Sequence, residues 1–284
     1  MSKILITSES TCDLSPELIE QFGFQIIPLY VTLGEQSLRD GVDAAPEILY
    51  KYVDEKKELP KTSAATITDY VDFFAEWTAK GYEVLHISIS HFFSSAYQNA
   101  KVAAEEVSGV IRVVDGGNLS TGTALLMLDA YDLAQEGKTV DEIAEEITRR
   151  VPLVRASFVV DLLDYLRMGG RCSSVAALGA NLLKLHPRIY VADGKMGVGE
   201  KYRGGIDDVM EKYVRQMVEQ NEGKLVGNRC FITHTKCRPE TVKRLVDETV
   251  KTGAFGNVYD TTAGCVITSH CGPGTLGILF EVSE

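Results

Sequence analysis

The alternation of short apolar runs with longer amphipathic segments over the first 115 residues constrains the fold of this chain more than any other feature. The runs "KILIT", "QIIPLYVTL", "EVLHISIS" and "VIRVVD" predict strands, and the segments "PELIEQF", "TDYVDFFAEWTAK" and "SAYQNAKVAAEEV" have the periodicity of helices. Ser15 is a suitable N-cap for the first helix, with Pro16 at its first position. Strands that alternate with helices in this way predict a parallel sheet covered on both faces.

A change in this pattern near residue 151 predicts a domain boundary. Two helices are expected before it, the second with Thr139 as its N-cap, and Val151-Pro152 is expected to end that helix. The later predicted strands are "ASFVV", "RIYVA", "RCFITH", "NVYD", "CVITS" and "ILFEV", and the later predicted helices are "DLLDYLRM", "VAALGANLLKL", "IDDVMEKYVRQMVEQ" and "PETVKRLVDETVK". We therefore expect an α/β protein with a regular domain, 1–152, and a mixed α/β domain, 153–284.

Composition and charge exclude several classes of protein. With 284 residues, of which 45% are hydrophobic, the chain can form sizeable cores, and its formal net charge of -11 argues against a nucleic-acid-binding protein. The six cysteines show neither a C-x-x-C pair nor zinc spacing, no histidine pair has metal-ligand spacing, and we expect reduced thiols and no metal site. The N-terminal apolar run is too short for a signal peptide, and no stretch approaches the ~20 apolar residues of a membrane span. We expect a cytoplasmic protein without an integral membrane segment.

Near the C-terminus, the stretch "HCGPGTLG" contains the spacing G-x-G-x-x-G between Gly272 and Gly277. In a dinucleotide-binding fold this motif opens a helix early in a βαβ unit, and an acidic residue follows about 20 residues later. Only seven residues follow Gly277, and they predict a strand. We therefore interpret the motif as a tight connection between two C-terminal strands, in which the glycines allow positive φ angles.

Hydroxyl side chains follow two of the predicted parallel strands. "SESTC" follows the first strand and "SHFFSSA" follows the third, so both lie at carboxyl ends of strands, where open α/β sheets bind ligands; "KTSAAT" precedes another helix. Each residue can act simply as a helix cap, but their shared location favours an anion site, because helix N-termini direct N–H groups to the same place. The candidates are Ser8, Ser10, Thr11, Thr62, Ser63, Ser94 and Ser95.

Arg171 and His270 each allow two interpretations. Arg171 follows two glycines in "MGGRC", so it either presents a guanidinium group to an anion or is solvated after a glycine C-cap. His270 either contacts a ligand or bonds to the backbone at the end of a strand. Ser94, His270 and an aspartate such as Asp115 would form the triad of a hydrolase acting on an acyl ester, although the chain has no G-x-S-x-G motif.

The chain resembles the DegV family of bacterial fatty-acid-binding proteins from residue 4 to its last predicted strand. The stretches "SESTCDL", "RDGVD", "TSAAT", "SSAYQNA", "DLLDYLRMGGR", "EKYRGG" and "HCGPGTLG" occur in the order and at the spacing of that family. The resemblance implies a three-layer α/β/α N-terminal domain with a parallel sheet, a two-layer α/β C-terminal domain with a mixed sheet, and a long-chain fatty acid held between them.

The resemblance also implies a function without chemistry of its own. Members of the family present the bound fatty acid to a fatty acid kinase, which phosphorylates its carboxyl group to an acyl phosphate for phospholipid synthesis. It implies the fatty acid as ligand, the kinase as partner, and no cofactor. The implied carboxylate-binding residues are Thr62, Ser63, Ser94, Ser95, Arg171 and His270, and the implied supporting loop residues are Ser10, Gly272 and Gly274. One departure from the family pattern is Glu9, which stands where an aspartate is usual.

Overall fold

The strands and helices of the protein follow most of the apolar periodicities of its sequence. The structure, a computed structural model, describes residues 3–176 and 185–283, so most of the predicted helix "VAALGANLLKL" lies outside the described residues. The strands are β1 (Lys3–Glu9), β2 (Gln25–Ile27), β3 (Tyr30–Leu33), β4 (Gln36–Arg39), β5 (Lys61–Ser63), β6 (Tyr82–Ser88), β7 (Ile111–Asp115), β8 (Val154–Val159), β9 (Leu185–Ala192), β10 (Lys195–Arg203), β11 (Leu225–His234), β12 (Asn257–Thr262) and β13 (Leu276–Val282).

The α-helices connect these strands and cover their faces. They are α1 (Pro16–Phe22), α2 (Pro46–Lys56), α3 (Ile67–Ala79), α4 (Ala96–Glu106), α5 (Thr121–Gln135), α6 (Val140–Arg150), α7 (Leu163–Gly169), α8 (Ser173–Ala176), α9 (Ile206–Gln220), α10 (Pro239–Lys251) and α11 (Cys265–Cys271). The predicted caps are confirmed, because Ser15 accepts a hydrogen bond from the Leu18 N–H and Thr139 accepts one from the Glu142 N–H.

Strands β2, β1, β6 and β7 form a parallel sheet in that order. Helices α3 and α4 pack on one face, and α5 and α6 pack on the other. The alternation of side chains along β6 shows the reason, since Val84 joins the apolar cluster of α3 and α4 whereas Leu85 and Ile87 join that of α5 and α6. The prediction of a parallel sheet covered on both faces is confirmed.

A mixed sheet follows in the second half, with the strand order β10-β9-β8-β13-β11-β12. Among the described strand pairs of this sheet, only β11 and β12 are parallel. Helices α9 and α10 pack on this sheet, while α5 contacts β8, β11 and β13 as well as β1 and β6 of the parallel sheet. Helix α5 is apolar almost all round, as expected of a helix buried between two sheets. The α/β fold with one parallel and one mixed sheet is therefore confirmed.

Two predicted strands are wrong. "QIIPLYVTL" is divided at Pro28, which has no N–H for a continuous ladder; β2 pairs in the parallel sheet, and β3 pairs with β4 and β5 in a three-stranded antiparallel sheet. "CVITS" belongs to helix α11 despite its β-branched residues, because tertiary contacts decide the conformation of such short segments. The prediction also missed β4, β5 and β10.

The carboxyl ends of the parallel strands place several loops at one edge of the sheet. Strands β1, β6 and β7 end at Glu9, Ser88 and Asp115, so the segments that follow them lie side by side. Helix α11 from the second half packs against α2, α7, β3 and β5. The candidate site therefore forms where this helix meets the loops of the first half.

Candidate ligand-binding site

A cavity of about 260 Å³ lies between helix α11 and the loops of the first half. Its polar wall contains all six residues named above as carboxylate-binding candidates. They are Thr62, Ser63, Ser94, Ser95, Arg171 and His270. The residues of the apolar wall could not be named from the sequence, because apolar residues in loops and buried helices carry no pattern that separates a ligand wall from an ordinary core. This wall includes Leu29, Ile89, Phe93, Leu119, Val266 and Ile267.

The centre of the polar wall is a contact between Thr62 and His270. Thr62 lies on β5, where pairing with Val31 of β3 fixes its backbone, and His270 lies in the last turn of α11. Thr62 Oγ1 and His270 Nε2 are 2.8 Å apart, so the hydroxyl and the imidazole share a hydrogen bond. The two residues are 208 positions apart in the sequence, and only the tertiary fold brings them together.

The imidazole of His270 is held in its neutral form. Burial and, to a lesser extent, the nearby Arg171 guanidinium together lower the pKa of His270 from 6.5 to about 4. Its Nδ1 atom is buried and has no hydrogen-bond partner among the described residues. Gly169 makes room for the ring, because a Cβ at that position would lie 2.5 Å from Nδ1. The first glycine of "MGGR" is therefore required for His270 to fit.

Arg171 follows a glycine C-cap and also presents its guanidinium group to the cavity, so both alternatives considered from the sequence apply. Helix α7 does end with a glycine C-cap, Gly170, and the Arg171 side chain is exposed. The guanidinium group is nevertheless held in place, since its Nε donates to the Phe93 carbonyl (3.3 Å) and one terminal nitrogen donates to the Gly169 carbonyl (2.6 Å). It therefore lies on the cavity with donors left to bind an anion.

The serine loop after β6 supplies the hydroxyl groups of the first half. Ser94 Oγ accepts a hydrogen bond from the Ala96 N–H at the start of α4, and its hydroxyl proton remains free to be donated to a ligand. Ser95 is the N-cap residue of α4 but makes no capping hydrogen bond with its side chain. Capping and ligand contact are therefore compatible at Ser94, because one oxygen can accept and donate at the same time.

Glu9 fixes the start of this loop. It is fully buried, and its carboxylate accepts hydrogen bonds from Tyr70 Oη, Ser88 Oγ and the Ile89 N–H, with His86 Nε2 at 2.9 Å. Burial alone would raise the pKa of Glu9, but the attraction of His86 and these hydrogen bonds outweigh it, so the pKa lies below its usual value. Glu9, which is longer than the aspartate usual at this position, has a structural role, because its hydrogen bond to the Ile89 N–H fixes the backbone of this wall residue.

The three predicted supporting residues do not line the cavity. Ser10 Oγ accepts a hydrogen bond from the N–H of Leu29, a wall residue, at 3.1 Å. Gly272 ends helix α11 with a φ angle of 75°, and a Cβ there would lie 2.6 Å from the Tyr165 ring. Gly274 lies in the turn that leads to β13. The motif G-x-G-x-x-G thus connects a helix to a strand, whereas a dinucleotide fingerprint connects a strand to a helix.

The hydrolase triad is not assembled. The Asp115 carboxylate bonds the imidazole ring of His91 and accepts hydrogen bonds from the backbone N–H groups of His91 and Gly117. It therefore does not orient His270. Across residues 3–176 and 185–283, no carboxylate hydrogen-bonds His270, so the imidazole lacks the acidic partner that orients the general base of such a triad.

A larger cavity of about 610 Å³ lies beside His91 and Arg188. It contains none of the predicted carboxylate-binding residues, and its Arg188 side chain is already paired with Glu200 at 2.9 Å. Within the described part of the chain, no group of three or more His, Cys, Asp or Glu side chains could hold a metal ion. No helix among the described residues is both long and apolar enough to cross a membrane.

The fold and cavity define a class of α/β protein with one parallel and one mixed sheet, in which a cavity between a short helix and the loops of the first half has hydrogen-bonding groups on one wall and apolar side chains on the other. The chain belongs to the DegV family, whose model, described as "Uncharacterised protein, DegV family", matches residues 3–283. Among its relatives, a DegV domain-containing protein of Deinococcus radiodurans is 32% identical over 281 residues, which cover 98% of both chains. One from Clostridium perfringens is 33% identical over 287 residues and is covered in full, as is this chain.

Solved structures of the family share the fold. A fatty-acid-binding DegV family protein of Thermus thermophilus has a TM-score of 0.89 at 27% identity, covering 99% of this chain and 100% of that one. DegV of Bacillus subtilis, a fatty-acid-binding protein, has a TM-score of 0.86 at 27% identity with full coverage of both chains. A stearic-acid-binding protein of Eubacterium ventriosum has a TM-score of 0.85 at 28% identity and covers 99% of this chain and 98% of its own. The structural neighbours are thus fatty-acid-binding proteins.

Proposed function

We propose that this protein binds a long-chain fatty acid in the cavity beside α11, where the predicted domains 1–152 and 153–284 meet, and that it carries the ligand in the cytoplasm without chemistry of its own. The observation that carries the proposal is the division of one cavity into a polar wall, which contains Thr62 and His270, and an apolar wall. This division matches a molecule with a carboxylate at one end and a hydrocarbon chain behind it.

The polar wall suits a carboxylate because it offers several donors at once. A buried carboxylate without partners is very unfavourable, so it must accept hydrogen bonds from the protein. Thr62, Ser63, Ser94 and Ser95 carry hydroxyl groups, and Arg171 adds charged N–H groups at the edge of the cavity. A carboxylate beside His270 would also raise the pKa of the imidazole and favour a protonated ring that donates.

The apolar wall suits the acyl chain, and a second cavity indicates its direction. A small apolar cavity of about 30 Å³ shares Leu119, Ile267 and Cys271 with the candidate site of about 260 Å³, so these side chains separate the two cavities. We propose that the tail extends past Ile267 when this side chain moves. Each buried CH₂ contributes roughly 0.8 kcal/mol, and some 14 methylenes would contribute about 11 kcal/mol before ordering costs. The tail then dominates affinity, and the polar wall sets orientation.

Lipid extraction from the purified protein tests the proposal directly. We expect mass spectrometry to find fatty acid at close to one molecule per chain, and added oleate to exchange into protein from which lipid has been removed. Absence of both would refute the proposal. Thr62→Val should weaken binding of a fluorescent fatty acid about tenfold, because it removes a donor to a charged group. Thr148→Val is the matched control, since Thr148 is exposed on α6 and, among the described residues, its hydroxyl group bonds only the Ala144 carbonyl.

We also propose that the bound carboxylate is offered to a fatty acid kinase, which phosphorylates it to an acyl phosphate for phospholipid synthesis. Family membership supports this role, as does the exposed Arg171 at the edge of the cavity. The test combines the loaded protein with a purified fatty acid kinase and ATP and traps acyl phosphate with hydroxylamine. Acyl phosphate formed equally well from free fatty acid without this protein would contradict the presenting role.

A further inference from the structure

The start of helix α11 is capped by two carboxyl groups that lie far away in the sequence. Gly264, its N-cap residue, has no side chain to act as a cap. Instead, the Gly264 N–H donates to Asp13 Oδ1 (2.8 Å), the Cys265 N–H donates to Asp40 Oδ1 (2.7 Å), and the Val266 N–H donates to Asp40 Oδ2 (3.3 Å). Three of the amide groups that a helix leaves without internal partners are thereby satisfied.

These two acids belong to the sequence stretches "SESTCDL" and "RDGVD", and neither lines the candidate site. Both carboxyl groups are buried, with exposed fractions of 5% for Asp13 and 3% for Asp40. Asp13 Oδ2 also accepts a hydrogen bond from Ser120 Oγ at 2.5 Å. Burial raises the pKa of Asp13 to about 8, while the hydrogen bonds from Ser120 and the Gly264 N–H act in the opposite direction.

Ser120 indicates that the arrangement is maintained against backbone strain. Its φ angle is 53° and its ψ angle is -144°, a conformation that is rare for a residue with a side chain. Ser120 occupies the N-cap position of α5, yet its hydroxyl group makes no capping bond there and is directed to Asp13. The side chain thus serves the acid that caps α11 rather than its own helix.

The two ends of α11 are consequently fastened to the first half of the chain. Asp13 and Asp40 hold its first amides, and Thr62 contacts His270 in its last turn. The helix has only seven residues, which corresponds to a length of about 10 Å, so a shift at its start is transmitted directly to the imidazole. The start of the helix packs closely against Asp40, because a Cβ at Gly264 would lie 3.1 Å from both carboxyl oxygens of Asp40.

We propose that Asp13 and Asp40 are positioning residues that place His270 in the cavity by capping helix α11. Their role in fatty-acid binding rests on the proposed function, but the placement of His270 can be measured without any ligand. Neither acid contacts the cavity. They act through the helix, and they explain why this short β-branched segment is helical.

The variant Asp40→Asn tests this proposal, with Asp129→Asn as its matched control. An asparagine at position 40 turns an NH₂ group towards one of the two amides that the carboxylate now satisfies, so one helix N–H loses its acceptor. Asp129 is similarly buried, with 4% exposed, but it pairs with Arg150 and Arg229 and contacts no residue of α11 in the described structure. Both substitutions therefore remove a buried carboxylate, and only one of them removes a cap of α11.

The readouts are the ring proton resonances of His270, assigned with His270→Gln, and hydrogen exchange at the Cys265 and Val266 amides, both in lipid-free protein. We expect Asp40→Asn to shift these resonances, to speed exchange of the two amides, and to weaken binding of a fluorescent fatty acid about tenfold. Asp129→Asn should leave the His270 resonances in place. Unchanged His270 resonances in folded Asp40→Asn would overturn the proposal, whatever the affinity.

Gly264→Ala provides a second test if Asp40→Asn does not fold. It keeps both carboxyl groups and pushes the start of the helix away from them, so the His270 resonances should shift in this variant as well. Resonances identical to those of the wild type would again reject the positioning role. The two proposals fail separately, because a wild-type protein that takes up no fatty acid refutes the proposed function while the resonance shift still decides the role of the acids.

Discussion

His270→Gln should change how the stability of the protein depends on pH. Burial, with Arg171 beside the ring, lowers the pKa of His270 from 6.5 to about 4 in the folded state. The unfolded chain therefore binds a proton at this residue below about pH 6.5, whereas the folded chain does so only near pH 4. Because the unfolded state binds more protons in this window, His270 lowers the free energy of unfolding as the pH falls from 6.5 to 4.

The size of the effect follows from the two pKa values. One pKa unit corresponds to about 1.4 kcal/mol, and the shift from 6.5 to about 4 makes His270 cost the folded state roughly 2 kcal/mol more at pH 5 than at pH 7. Glutamine does not titrate, so His270→Gln lacks this cost. The difference in free energy of unfolding between the variant and the wild type should therefore shift by about 2 kcal/mol in favour of the variant from pH 7 to pH 5.

Urea denaturation of lipid-free wild type and variant at the two pH values measures this difference, and contributions of other titrating groups cancel in the comparison. Thr62→Val serves as a control that removes the partner of His270 Nε2 and keeps the buried imidazole, so its pH dependence should follow that of the wild type. Added fatty acid should reduce the effect, because a carboxylate beside the ring raises its pKa. If wild type and His270→Gln lose stability in parallel from pH 7 to pH 5, the imidazole titrates normally and our account of the site is wrong.

Two further predictions concern the core and the cavity. Burial raises the pKa of Glu281, and the neighbouring Asp129 raises it further. The folded state therefore keeps a proton on Glu281 that the unfolded state loses above about pH 4.5. Because this stabilisation of the wild type is lost as the pH rises from 5 to 8, Glu281→Gln should become more stable relative to the wild type over that range. Urea denaturation at both pH values measures this, and an unchanged difference would show that Glu281 ionises normally. Ile267→Phe should weaken stearate binding more than tenfold while octanoate is little affected, because it obstructs the space between the two apolar cavities. Titration calorimetry with both ligands checks this, and equal losses for the two chain lengths would contradict the proposed path of the tail.

Local sequence patterns were sufficient for the elements whose neighbours in space are also neighbours in the chain. Helix α6 begins after Thr139 because the capping box with Glu142 is contained within four residues. Strand β6 alternates because its two faces meet helices that are near it in the chain. The hydroxyl loops were located for the same reason, since the carboxyl ends of successive parallel strands share one edge. Ser94 could therefore be named as a candidate from its position, whereas Thr62 lies on the antiparallel strand β5 and its role in the site was implied by the family resemblance.

Long-range contacts decided the elements that were predicted wrongly. Val266, Ile267 and Thr268 favour a strand locally, but the carboxyl groups of Asp13 and Asp40 satisfy the amides at the start of a helix instead. Pro28 interrupts a run that is apolar enough for one strand, and the two parts pair in different sheets. No local pattern carries this information, because the partners lie in other parts of the chain.

The sequence by itself determined the alternating α/β architecture, the loops that bear hydroxyl groups, and, through its motifs, membership of the family. The tertiary structure decided which of these groups meet. Thr62 and His270 are 208 residues apart, and only the pairing of β5 with β3 and the capping of α11 bring them within 2.8 Å. It also decided the protonation of His270, because the pKa of a histidine depends on how much water and which charges surround it. Periodicity records which face of an element is buried, whereas the chemistry of the cavity depends on what each face is buried against.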